Sequence, residues 1–187
     1  LPTWERKRTR PLLADLLDAQ RALADAILRA YVTPSEEALR RIEPARTEAW
    51  RIRTTVESSI DRSRHEPHRI HTIAVGRALR ILAVTQRFAL ANLALESELG
   101  APLPPECAGA LAAFADALDD RMAELAAALR ESRRATTEGR LATALSKAET
   151  ALATQQCPNA HFIIERLQAY ADAIARMARL VGVPREA

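Results

Sequence analysis

Apolar residues return at three- and four-residue steps along nearly the whole chain, and no run keeps the two-residue alternation of a strand. That periodicity leaves little room for anything but helices. In the first segment Leu12, Leu13, Leu16, Leu17, Leu23, Ile27, Leu28 and Tyr31 mark one helical face. With 5 glycines and 4% aromatic residues, a β-sandwich or a Gly-rich nucleotide fold is poorly supplied. The 187 residues suit one domain over 1–187 with a sizeable core.

Prolines divide the helices. Thr33-Pro34-Ser35-Glu36 reads as a start, with Thr33 as N-cap, Pro34 in the first turn and Glu36 closing a capping box. The second helix carries a narrow stripe of Ala38, Ile42, Ala45, Ala49, Ile52, Val56 and Ile60, and Pro44 is expected to kink or split it near Ile42. Glu66-Pro67-His68 ends that helix. The third, over about 69–99, is apolar on most of its surface, which predicts a central position. After the Pro-rich loop 100–105, a fourth helix uses Leu111, Phe114, Leu118, Met122, Leu125 and Leu129. Residues 132–140 read as a mobile polar linker. Leu141, Leu145, Ala148 and Leu152 mark a fifth helix. Asn159 is placed to cap a sixth, which runs through Phe162, Ile163, Leu167, Tyr170, Ile174, Met177 and Leu180 until Gly182 and Pro184 stop it. The expected architecture is all-α: an antiparallel bundle of about six helices, the second and third being two long central ones.

Motifs that carry chemistry are missing from this pattern. The chain has no Glu-x-x-His pair, no HExxH, no P-loop, no GxSxG and no GxGxxG. No catalytic residue, no cofactor and no metal ligand is therefore assigned. His65, His68 and His71 stand at three-residue steps, but Pro67 interrupts them, and the expectation is a solvated corner beside Arg62, Arg64 and Arg69. If the second and third helices fold back around Pro67, Glu57 faces Arg77 or Arg80, which predicts a partly buried ion pair. Cys107 and Cys157 lack a CxxC context and read as two inert thiols in a reducing compartment. Arg77, Arg80 and Arg87 interrupt the most apolar region, so no membrane-spanning run is expected.

Charge is uneven. Residues 1–90 hold 17 Lys/Arg against 11 Asp/Glu, whereas residues 91–187 hold 10 against 13. The basic half is too diluted by carboxylates for a nucleic-acid footprint, and no nucleic-acid partner is expected. Its concentrated part is the opening, where Trp4 stands beside Arg6, Lys7, Arg8 and Arg10. An indole at headgroup level, with cations on an anionic leaflet, is the composition of a segment leaving a bilayer on its cytoplasmic side.

The opening residues, Leu1-Pro-Thr-Trp-Glu-Arg-Lys-Arg8, resemble the junction after the last membrane helix in the bacterial fusaric-acid-resistance/aromatic-acid-exporter (FUSC) family. The stretch from Ala45 to Pro67 is similar to that family's Ala/Arg-rich helix, basic turn and Glu-Pro, with Thr55 where the family usually has Asn. The likeness covers about 1–130. It implies the soluble cytoplasmic domain of an inner-membrane efflux-type protein exporting aromatic carboxylic acids, with a role in assembly, gating or regulation and no enzymatic activity. The implied partners are an upstream transmembrane region of the same protein, an anionic membrane surface and a homo-oligomer. The alternatives are a free-standing helical interaction or regulatory protein, or an all-helical enzyme with an Arg-rich anion site.

Overall fold

The computed structural model describes residues 4–64, 71–100, 102–135, 139–155, 157 and 159–181, with the backbone alone at 4–8, 63–64 and 71–75. Six helices follow in order: α1 (Trp4–Val32), α2 (Glu36–Arg64), α3 (His71–Ser97), α4 (Pro105–Glu131), α5 (Arg140–Thr154) and α6 (Ala160–Val181). No strand occurs among the described residues. The chain is an all-helical, up-and-down bundle, as its periodicity requires.

Helices α1, α3, α6 and α4 pack in a closed ring; α2 lies over α1 and α3, and α5 over α4 and α6. The most enclosed helix is α1. Leu13, Leu16, Leu17, Gln20, Leu23, Ala24, Ile27, Leu28 and Tyr31 are all buried, so it needs neighbours on three sides and finds them in α2, α3 and α4. The expectation that α2 and α3 form the central pair therefore needs revising. The stripe of α2 does face inward, through Ile42, Ala49, Val56 and Ile60, but it is one contact wide and leaves Leu39 and Trp50 in solvent. A narrow Ala-rich stripe makes a good outer layer.

Local signals were shifted rather than absent. The N-cap of α2 is Ser35, whose Oγ accepts from the Ala38 N–H at 3.1 Å; Thr33 ends α1 by donating its N–H to the Arg29 carbonyl. Pro44 does not split α2, and α1 likewise runs through Pro11. Both prolines are exposed, so the carbonyl deprived of its N–H partner one turn earlier can turn to water. Ser132, in the left-handed conformation at φ 57°, closes α4, and the Arg133 N–H returns to the Ala128 carbonyl at 3.1 Å. The start of the expected mobile linker is tied down further: the Arg133 guanidinium pairs with Glu124 at 2.6 Å and Glu131 at 2.5 Å. Asn159 adopts φ 55° and donates its side-chain amide to Glu98, just past the end of α3, at 3.3 Å, so it turns the chain into α6 instead of capping with its side chain.

The cysteines correct the sequence reading outright. Cys107, in the first turn of α4, and Cys157, between α5 and α6, form a disulfide. A separation of 50 residues gave no hint of it, because two turns at the same end of a bundle meet only through tertiary packing.

Three helices of the ring share a buried polar chain. The Tyr170 hydroxyl of α6 donates to Asn92 Oδ1 of α3 at 2.5 Å, and Asn92 Nδ2 donates to Gln20 Oε1 of α1 at 3.0 Å. All three residues are almost wholly enclosed. Tyr31 adds a second tie from α1 to α3 by donating to the Leu95 carbonyl at 2.8 Å.

Candidate interaction surface

Charged side chains concentrate where α1 meets α4. Arg130 reaches Asp15 and Asp18 at 2.7 Å each, Arg21 reaches Asp119 at 3.1 Å, and Arg29 joins Asp25 at 3.0 Å to Asp116 at 2.5 Å. Arg140 of α5 closes on Asp120 at 2.7 Å. The lower part of this seam forms an open depression of about 390 Å³ lined by Asp25, Arg29, Asp116, Asp119, Asp120 and Arg140. Its chemistry is spent internally. Donating a hydrogen bond to Asp116 raises the Arg29 pKa above its ordinary value, and donating to Asp15 does the same for Arg130, so each guanidinium is already committed to carboxylates. Among the described residues no three His, Cys, Asp or Glu side chains are grouped to hold a metal ion. The seam is an interhelical clasp.

A second surface is apolar and unspent. Four large hydrophobic residues stand exposed: Leu39 at 50%, Trp50 at 69%, Leu90 at 58% and Leu93 at 58%. Arg46 of α2 pairs with Glu96 of α3 at 2.6 Å, which fixes the register of the two helices and sets Trp50, though not Leu39, beside the exposed leucines of α3. Leu39, Arg46 and Trp50 share one flank of α2, at steps of seven and four residues, and antiparallel packing sets Trp50 level with Leu90 and Leu93. Farther toward the start of α3, Ala83 is exposed, whereas Leu79 and Leu82 are partly buried against the core. This also amends the expectation that no membrane-spanning run exists: Gly76–Ser97 is long and apolar enough by length and composition, at mean hydropathy 1.3, with 39% of the stretch buried. Helix α3 is apolar all round because one side builds the core and the other builds this surface.

The sequence-derived positions fall as follows. Glu57 is half-exposed and accepts from Arg53 Nε at 2.8 Å, one turn earlier on its own helix, so the expected partly buried pair with Arg77 or Arg80 is replaced by an exposed pair within α2. The reason is proximity: an i,i+4 guanidinium reaches the carboxylate without desolvation. Arg80 is exposed, and Arg77 is partly so. His65 and His68 lie outside the described residues, as does the His71 side chain. Trp4, Arg6, Lys7 and Arg8 sit on the backbone of the first turns of α1, with side chains outside the described set, while Arg10 bonds Ser132 Oγ beyond the end of α4. Helical periodicity does not reveal the apolar patch, although Trp50 beside the buried Ala49 is its visible sign.

Comparison of the chain with protein-family models, with characterised proteins and with solved structures gives no match.

Proposed function

We propose that this bundle is the extramembrane domain of an aromatic-acid-exporter-like membrane protein, and that it transmits or assembles rather than catalyses. The observation that carries the reading is the continuity of α1. The Trp4–Arg10 segment, with the make-up of a bilayer exit, is no loose tether but the opening of one 29-residue helix that becomes the most enclosed element of the bundle. A helix built that way passes a displacement at its basic end directly to α2, α3 and α4. Cations at the leaflet contribute about 1 kcal/mol each near an anionic surface, enough to orient such a domain.

Which face the domain occupies turns on the disulfide. The family resemblance points to the cytoplasm. The Cys107–Cys157 bond favours a second placement, on an oxidising side, since thiols in a glutathione-poised cytosol stay reduced. One experiment tests both statements: the native gene product is fractionated, then labelled in intact cells with a membrane-impermeant maleimide before and after reduction. Recovery with the inner membrane supports the proposal, and recovery in the soluble fraction overturns it. Labelling only after permeabilisation puts the domain inside. Labelling of intact cells after an impermeant reductant puts it outside.

A further inference from the structure

The two ends of the bundle differ in charge. Tyr31 with Leu95, and Gln20 with Asn92, set α1 and α3 parallel, so Arg10 and Arg80 stand level to within about two turns. Tyr170 with Asn92, and Asn159 with Glu98, run α6 the other way and bring Arg179 to the level of Arg80. The register set by Arg46 and Glu96 does the same for Arg62 of α2. The bond from Arg10 to Ser132 puts Arg134, just past α4, at that end as well. Helices from all over the sequence therefore bring arginines to one end of the molecule. The opposite end carries Glu36, Glu37, Glu98 and Glu106, all exposed.

Much of this positive charge is unspent. Asp15 and Asp18 are taken by Arg130, Glu124 and Glu131 by Arg133, and Asp61 also has a partner. Arg80, Arg134, Arg176 and Arg179 are exposed, and none of them meets a carboxylate among the described residues. A cation at a helix C-terminus complements the helix dipole, which accounts for Arg130 and Arg179. It does not account for Arg6 and Lys7, in the first turn of α1, where the dipole opposes them. We propose that this end of the bundle docks upright on an anionic phospholipid surface, a contact that rests on the membrane placement proposed above and names the face that makes it. The arginines spread over the cross-section instead of lining a groove. Helix α2 lies on one side of α1 and α3, with α4 and α6 on the other, so at about 8–10 Å per helix step the set spans about 20 Å. Helix α1 starts about 9 Å beyond the level of Arg10. A nucleic-acid duplex laid across this end would collide with that projecting helix, whereas a bilayer admits it, with Trp4 at its start in the headgroup layer. The acidic end, repelled by the same lipid, is left pointing away.

The test is flotation of the whole chain with vesicles of phosphatidylcholine, alone or mixed with phosphatidylglycerol, with circular dichroism to verify the fold of each variant. The wild type should float with the anionic vesicles, not with the neutral ones, and should be released by salt. Arg80→Gln, Arg134→Gln and Arg179→Gln should each lower the partition coefficient about fivefold, and together about a hundredfold. Arg40→Gln, Arg41→Gln and Lys147→Gln remove the same charge toward the other end, farther from the lipid than the Debye length of about 10 Å, and should leave partition nearly unchanged. No flotation with the anionic vesicles overturns the proposal, as does equal loss from the two triple variants, which would report net charge alone. A first triple that binds like the wild type overturns it too and leaves the Trp4–Arg10 segment as the sole contact. Retention by duplex DNA without flotation overturns it in favour of a nucleic acid. Flotation reads this contact and cell fractionation reads the membrane-protein assignment, so either can fail alone.

Discussion

The buried chain Tyr170–Asn92–Gln20 makes a sharp prediction about what locks α1, α3 and α6 in register. Tyr170→Phe removes one hydroxyl and keeps the ring, whose centroid lies 4.5 Å from that of Phe88. The Asn92 Oδ1 then stays enclosed with its donor gone. Stranding a buried acceptor costs about 1–3 kcal/mol, more than a typical hydrogen bond gives when made. For a chain this long, about 2 kcal/mol lowers Tm by about 4–8 °C. Asn92→Leu is worse, since it strands the Tyr170 hydroxyl and the Gln20 amide together. The triple replacement Gln20→Leu, Asn92→Leu and Tyr170→Phe strands nothing, and should recover much of what Asn92→Leu loses. Urea unfolding followed by circular dichroism, compared at equal m-value, is the assay. If the triple variant loses the sum of its three single losses, the network stabilises through its bonds and not by avoiding unmet polar groups, and the reasoning fails.

Three further outcomes are expected. Closing a 50-residue separation, the Cys107–Cys157 bond is worth about 4 kcal/mol in the chain-entropy account, so Cys107→Ala with Cys157→Ala, or simple reduction, should lower Tm by about 10 °C; a melt unchanged by reductant refutes it. The two tyrosines should resist ionisation: burial, with Glu98 nearby, pushes Tyr31 up to about 12, and burial raises Tyr170 above its ordinary value. A phenol raised in the fold contributes stability that is whole below about pH 10 and is lost as pH rises through the folded value, so phenolate absorbance at 295 nm should appear together with unfolding; two phenolates titrating near pH 10 in a folded chain would contradict this. Leu16→Ala, in the centre of α1, should cost about 2–5 kcal/mol, whereas Leu39→Ala on α2 should cost under about 0.5 kcal/mol in chemical denaturation; equal costs would mean α2 is as enclosed as α1.

Much of the fold could be read because helical periodicity is local. The faces of α4 and α6 appear in their own sequences, and Phe114, Leu118, Met122, Leu167 and Tyr170 are buried where the spacing puts them. What the sequence misplaced was relational. Glu57 had two candidate arginines across a turn and one on its own helix, and the shorter reach prevailed. Cys107 and Cys157 sit in two turns that no local rule brings together. Ser35 caps α2 in place of Thr33, which leaves Pro34 outside the helix.

Helix α3 shows why the same ambiguity reaches function. An apolar residue on every side of a helix says that no side is meant for water, and it does not say how many neighbours come from the same chain. Here the bundle supplies α1, α2 and α6, and the side bearing Leu90 and Leu93 is left over. Had solvent been the intended neighbour, polar residues at those two positions would have served the core equally well, since neither contributes to it. Keeping Leu at both costs solubility and yields nothing to the isolated bundle. The side of α3 that bears Leu90 and Leu93 is therefore a surface that the bundle's own packing does not account for.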